Sequence, residues 1–242
     1  MAPEMALLGA ALVGAKQRVA AGMRFQTGTL EGKSVVLLQC GVGKVNAAIG
    51  TALLLELFSP TAVLNTGSAG GLLPTQTFGD TLISTEVLHH DVDVTAFGYA
   101  PGQVPGLPAV FPSDPDLVAL ADRCLGSFPH TKGQIGSGDI FVHDPEVIAK
   151  IRSRFPDLCA VEMEAAAIAQ ACHLTGTPFV VVRALSDIAG QESPMKFEEF
   201  LPLAAKIPII SKVQEFNLNQ ANEALLSLKQ GNVRAAAVLW IS

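Results

Sequence analysis

The stretch Pro178-Phe179-Val180-Val181-Val182-Arg183-Ala184-Leu185-Ser186-Asp187 decides the reading of this chain. Its first half is apolar and β-branched, the pattern of a strand buried on both faces, and the switch to Ser186-Asp187 marks the carboxyl end of that strand. Ligands in open α/β sheets bind at such ends. Just upstream, Cys159 to Glu162 reads as another short strand and Glu164 to Leu174 as an alanine-rich helix, so Glu164 falls where strand passes into helix. The run Val161-Glu162-Met163-Glu164-Ala165 and the Ser186-Asp187 pair are therefore expected to aim carboxylates at one crevice. Glu162 and Glu164 share a parity on an extended segment, but the chain turns helical between them, so one of the two is expected to face that crevice. The competing reading for Glu162, Glu164 and Asp187 is that of helix caps, where free amides welcome a carboxylate.

Outward from this stretch, strands and helices alternate. Lys44 to Phe58, Asp114 to Leu125, Pro145 to Arg154 and Phe197 to about Leu228 read as helices, the last interrupted near Pro202 and Pro208. Ala62 to Asn65 and Asp80 to Leu88 read as strands, and Arg24 to Thr29 with Ser34 to Gln39 as a hairpin around Glu31-Gly32-Lys33. Glu4 to about Val19 reads as an amphipathic helix with Pro3 in its first turn. No linker or repeat interrupts the chain, so residues 1–228 are expected to form one α/β domain, a mixed sheet covered by helices on both faces, followed by a tail at 229–242.

Composition narrows the function. The 242 residues are 49% hydrophobic and 16% charged, enough for a sizeable core. A net charge of -6 without a basic stripe argues against a nucleic-acid partner. The apolar run from Met5 to Ala15 has only Glu4 as its charged flank and is too short to span a bilayer, so neither a secretory signal nor a membrane anchor is expected. Cys40, Cys124, Cys159 and Cys172 are scattered and read as reduced thiols, which fits the cytoplasm.

Several motifs invite chemistry and are weighed against plainer readings. Thr66-Gly67-Ser68-Ala69-Gly70-Gly71 follows a strand, and its small residues, Ser68 and Gly70 among them, let a polar ligand approach the backbone; a tight turn is the plainer reading. Gly41-Val42-Gly43-Lys44 imitates a phosphate loop but has Leu38 and Val45 where that pattern needs Gly and Ser or Thr, so it reads as a site wall or packing element. His89-His90-Asp91-Val92-Asp93 looks like a metal site, yet adjacent residues on an extended segment face opposite ways, and no metal is expected. Ser186 lacks a nucleophile elbow. Thr95 to Pro112, dense in Gly and Pro, reads as a long loop of the kind that carries function.

Asn65 to Gly71, Asp91 to Tyr99 (DVDVTAFGY), Ser137-Gly138-Asp139, Val161 to Ala165 and Arg183 to Asp187, five motifs in order, resemble the 5′-methylthioadenosine/S-adenosylhomocysteine nucleosidases. The resemblance runs from about Met1 to Val213. It implies a three-layer αβα sandwich shared with purine nucleoside phosphorylases, a homodimer, no cofactor and no metal. It also implies hydrolysis of the bond between adenine N9 and the ribose anomeric carbon, with an adenine nucleoside and water as substrates.

The same resemblance distributes roles. Asp187 becomes the general acid for adenine N7. Glu164 grips the ribose hydroxyls and offsets the oxocarbenium charge, and Glu4 is the base for the attacking water. Phe141 stacks on adenine, the Val142 backbone meets the base edge, Met163 and Phe197 wall the ribose and purine, and Ser68 lies beside the water and sugar. Phe97, Tyr99 and Pro105 reach across the dimer to the neighbour's 5′-alkylthio group; core packing is the plainer reading for Phe141 and Phe197. Family members place a strand before the segment that holds Glu4, and here that first strand is missing, so either the true start lies upstream or the sheet is altered. The tail after about Leu228 has no family counterpart and reads as a foreign end or an added strand. Rival readings are a nucleoside phosphorylase, an aminofutalosine hydrolase and a non-catalytic nucleoside-binding protein.

Overall fold

Turns with positive φ organise the first sheet. The computed structural model describes residues 8–188 and the strands at 213–216 and 236–239. Helix α1, described over residues 8–11, leads directly into strand β1 (Val13–Ala20). Strand β1 pairs antiparallel with β2 (Met23–Leu30), and β2 with β3 (Lys33–Gln39). Each connection is a two-residue turn with both residues at positive φ, Ala21-Gly22 (47° and 78°) and Glu31-Gly32 (48° and 81°). Such turns match the right-handed twist of the flanking strands. The hairpin at Glu31-Gly32 is as expected. The helix expected to run on to Val19 is corrected: Val13 to Ala20 is a strand, because pairing with β2 overrides the helix preference of Ala, Lys, Gln and Arg.

Among the described residues the central sheet has six strands in the order β6-β5-β7-β8-β4-β9, and a further β5–β9 pairing closes it on itself. These are β4 (Val63–Gly71), β5 (Thr81–His89), β6 (Phe111–Pro112), β7 (His130–Ser137), β8 (Leu158–Glu162) and β9 (Phe179–Ile188). The pairs β5–β7, β7–β8 and β4–β9 are parallel, whereas β4–β8 and β5–β9 are antiparallel, so the sheet is mixed as expected. Strand β4 is longer than the sequence suggested: Thr66 to Gly71 continues it, held in the extended state by β9 along its full length.

Helices cover the sheet. α2 (Lys44–Phe58) and α5 (Ala165–Thr175) pack on one another and share the main core with β4, β5 and β9 through Ala47, Leu54, Ala165, Ala169, Leu82, Val181 and Leu185. α4 (Pro145–Arg154) places Ile148 and Ile151 in a second cluster with Leu72, Leu88, Phe155, Leu158 and Val161. α3 (Pro115–Leu125) packs on β5 and β9. Asp114 and Asp144 cap α3 and α4 through side-chain bonds to first-turn amides, each followed by proline at the first helical position.

The helix expected from Phe197 to about Leu228 lies largely outside the described residues. Within it stands strand β10 (Val213–Phe216), paired in parallel with β11 (Ala236–Leu239). The tail therefore contributes a strand, one of the two readings it had from the sequence.

One consequence of the turn geometry is measurable. Ala21 holds a left-handed conformation that costs a residue with a Cβ roughly 1–2 kcal/mol, a cost asparagine largely avoids. Ala21→Asn is expected to raise the free energy of unfolding by about 1 kcal/mol in a urea titration.

Candidate active site

Strand β4 brings the two acidic motifs together. Gly70 is opposite Val161 of β8 on one side and Asp187 of β9 on the other. Ser68 and Gly70 thus lie beside the strand end that carries Ser186-Asp187, and Met163 and Glu164 follow the strand end at Glu162. The Ser186 hydroxyl donates to Asp187 Oδ1 at 2.8 Å. A Cβ on Gly70 would stand 3.1 Å from Asp187 Oδ2, so glycine here keeps the backbone close to the carboxylate. Asp187 is half-buried, and Ser186 is buried.

Glu162 and Glu164 have separate tasks. Glu162 is buried and bound on every side: Arg183 Nη2 donates to its Oε2 at 2.5 Å, the Ser137 hydroxyl donates to Oε1, and the amides of Glu164 and Ala165 donate at 2.9–3.0 Å. The same Arg183 nitrogen reaches Asn65 Oδ1 at 2.6 Å, and the Ala166 amide reaches Ser137 Oγ at 2.7 Å. Capping of α5, the plainer reading, is what Glu162 does. Glu164 occupies the N-cap position of α5 without capping it through its side chain. Its Oε1 accepts instead from the Gly43 amide at 2.8 Å, which sets the carboxylate against the N-terminus of α2.

The loop Gly41 to Lys44, expected as a site wall or a packing element, meets Glu164 through the Gly43 amide. Lys44 donates its amide to Asp139 Oδ1 at 2.7 Å and its ammonium to Asp91 Oδ1 at 2.6 Å, and the Asp139 amide donates to Asp91 Oδ2 at 3.0 Å. Burial pushes the Asp91 carboxyl up, but Lys44 and the Asp139 amide outweigh it and hold it below its ordinary value. Asp93 is held near a pKa of about 2 by Arg154 and by the hydroxyl and amide of Thr95. The two histidines of the same motif are buried in separate settings. His89 Nε2 meets Gln170 Oε1 at 3.0 Å, while the His90 ring packs on Gly138, where a Cβ would fall 2.4 Å from Cε1.

The aromatic residues stand apart from the core. Phe141 is 70% exposed and stacks on the His143 ring at 5.8 Å, which removes core packing as its explanation. Val142 beside it is buried in the second cluster. Phe97 is 81% exposed at the end of the short helical turn Thr95–Phe97, Pro105 is exposed, and Tyr99 is half-buried. Glu4 and Phe197 lie outside the described residues. Sequence reading assigned no role to Asn65, Ser137 or Asp139, and none to Lys44 beyond its place in the Gly41 to Lys44 loop. Their only signal was membership of the quoted motifs, since their partners are far away in the chain.

The mixed sheet and its covering helices are those of the phosphorylase-like α/β fold. The family model described as "Phosphorylase superfamily" matches residues 1–210. The 5′-methylthioadenosine/S-adenosylhomocysteine nucleosidase of Geobacillus kaustophilus is 56% identical over 209 residues, 85% of this chain and 89% of the relative. Among solved structures, the nucleosidase of that name from Neisseria meningitidis, in complex with methylthio-immucillin-A, superposes with a TM-score of 0.83 at 48% identity, covering 86% of this chain and 92% of that one. The Colwellia psychrerythraea enzyme in complex with adenine gives 0.82 at 50% identity, covering 85% and 86%. The chain belongs to the 5′-methylthioadenosine/S-adenosylhomocysteine nucleosidase family of that superfamily.

Two measurements test this geometry. Glu162→Gln removes the charge that answers Arg183 and is expected to lower unfolding free energy by about 3 kcal/mol or more in denaturant titration. Burial holds the pKa of both His89 and His90 below the ordinary 6.5. A depressed folded-state pKa means that the unfolded chain binds more protons, so stability is present above 6.5 and is lost as pH falls through it. The thermal midpoint is expected to drop over that interval, and His90→Asn to flatten the dependence.

Proposed function

We infer that this chain hydrolyses the N-glycosidic bond of 5′-methylthioadenosine and S-adenosylhomocysteine, releasing adenine and the corresponding thioribose. The observation that supports this reading is that Gly70 pairs with Asp187 on one side and with Val161, three residues before Glu164, on the other, with Asp187 tied to Ser186 and Glu164 to the α2 N-terminus, in a chain so similar to those nucleosidases. In the reaction the N9–C1′ bond breaks with its electron pair going to adenine, and Asp187 gives N7 a proton. Glu164 holds the ribose hydroxyls, and its negative charge offsets the cationic character of the ring. Water adds to C1′ and loses its proton to a base; Glu4 takes that role on the family pattern.

Phe141 stacks on the purine and the Val142 backbone meets its edge, with Met163, Phe197 and Ser68 completing the walls of the nucleoside pocket. The chain works as a homodimer in which Phe97, Tyr99 and Pro105 close the neighbour's 5′ pocket. Exposure of Phe97 and Pro105 on this protomer supports that arrangement. Four free cysteines are in keeping with a cytoplasmic setting, and among the described residues no helix is long and apolar enough to cross a membrane.

A phosphorylase would use guanidinium groups to hold phosphate below the sugar. Arg183, opposite Gly67 in the sheet, is instead buried and committed to Glu162 and Asn65, which favours water over phosphate as the nucleophile. Purified protein is expected to release adenine from 5′-methylthioadenosine at a rate independent of phosphate. Asp187→Asn and Glu164→Gln should each lose about 10²–10⁴-fold in kcat/KM with the fold retained. Formation of a pentose phosphate, or full adenine release by Asp187→Asn, would refute the assignment.

A further inference from the structure

Two consecutive amides at the N-terminus of α2 are taken by two carboxylates from distant parts of the chain. Gly43 N–H goes to Glu164 at 2.8 Å, and Lys44 N–H goes to Asp139 at 2.7 Å. The second bond is itself fixed, because Asp139 donates its own amide to Asp91 and Asp91 holds the Lys44 ammonium at 2.6 Å. The three residues therefore form a closed ring: Lys44 amide to Asp139 side chain, Asp139 amide to Asp91, Asp91 to Lys44 side chain. Glycine at residue 43 suits this ring: its φ is +92°, which a side chain rarely adopts, and a Cβ there would fall 3.0 Å from Asp139 Oδ1, so that the carboxylate would have to shift by a few tenths of an ångström.

The peptide plane that carries the Lys44 N–H also carries the Gly43 carbonyl, which accepts from the Ala47 amide at 3.0 Å, so that plane is held on both sides and the Gly43 N–H is anchored one Cα away from it. A carboxylate that moves by an ångström at a reacting centre costs rate without any change in fold. We propose that Asp139, with Asp91 and Lys44, is a positioning unit for Glu164: it orients the α2 N-terminus so that the Gly43 amide fixes the Glu164 carboxylate at the sugar. The motifs Asp91 to Tyr99 and Ser137 to Asp139 thus meet at Lys44, and a part of each serves Glu164 without touching the nucleoside. This inference rests on the reading above that Glu164 holds the ribose.

The test is a double-mutant cycle on adenine release from 5′-methylthioadenosine, using single-turnover conditions with enzyme in excess for the slow variants. Asp139→Asn alone is expected to lower kcat/KM by about 10–100-fold, with most of the loss in kcat. In the Glu164→Gln background the same change is expected to cost less than about 3-fold, because its route to the reaction is already gone. Asp91→Asn should repeat both results, and Lys44→Arg, which keeps the cation, should recover most of the activity that Lys44→Met loses. Equal factors in both backgrounds would overturn the proposal, as would an unchanged rate in Asp139→Asn. If Glu164→Gln alone were fully active, the reading of Glu164 would fail first, and that arm shows it without reference to Asp139. Thermal midpoints of all variants separate loss of fold from loss of orientation: an effect that tracked the midpoint and ignored the Glu164 background would be structural and would also overturn it.

Discussion

The buried pairing of Glu162 with Arg183 joins the strands and the helix from which the site is built. Both side chains are almost wholly removed from water, and each charge in that setting has to be answered by the other, although Arg183 Nε is buried with no hydrogen-bond partner among the described residues. Glu162 collects a guanidinium, a hydroxyl and two amides, so its carboxylate is the point at which β8, β7, β9 and the start of α5 are joined. Burying such a pair contributes little to net stability, since an apolar pair of the same shape would serve as well. What it contributes is place. Arg183 also reaches Asn65, so strand β4, on which Ser68 and Gly70 lie, is held to the same point.

That anchor explains why two glutamates two residues apart do different work. Glu162 ends a strand and turns inward to the cap of α5. Glu164, already at the first turn, is released from that duty and can face another helix altogether. If Glu164 had to cap α5 itself, its carboxylate would be consumed by its own helix and would not reach Gly43. The division of labour is a local geometric fact, and it is what leaves an acid available at the carboxyl end of the sheet.

Much of this was legible in the chain. The apolar β-branched run at Phe179 to Val182 points to β9, Cys159 to Glu162 reads as the strand that is β8, the helices read from Asp114 and Pro145 match α3 and α4, and Glu31-Gly32 points to its hairpin. Strand β1 was not legible because Val13 to Ala20 is rich in residues that favour helices, and only its partner β2 makes it extended. The Ala21-Gly22 turn carried a weak signal, since alanine is a poor choice at its first position. Strand β4 was cut short for a similar reason: Thr66 to Gly71 has no side-chain pattern of a strand, and pairing with β9 supplies what the pattern lacks. In the site, residue types announced Asp187 and Glu164, but nothing local announced what holds them.

The reason lies in how far apart the partners of a helix N-terminus are. Asp114 and Asp144 bond to amides two or three residues on, so the cap, its helix and the signal share one short segment. At α2 the amides of Gly43 and Lys44 go to Glu164 and Asp139, 121 and 95 residues away. The physics is the same in both cases: an unpaired amide at the positive end of a helix takes a carboxylate. A helix that satisfies itself locally only needs to be stable, and its cap can be read from sequence. A helix that leaves its first amides open obliges the fold to deliver carboxylates from elsewhere, and those acids are then held in orientations that no neighbour in the chain dictates. Gly41-Val42-Gly43, which carries no capping side chain before α2, is the one local trace of this arrangement, and it is the absence of a local cap that lets Glu164 be recruited.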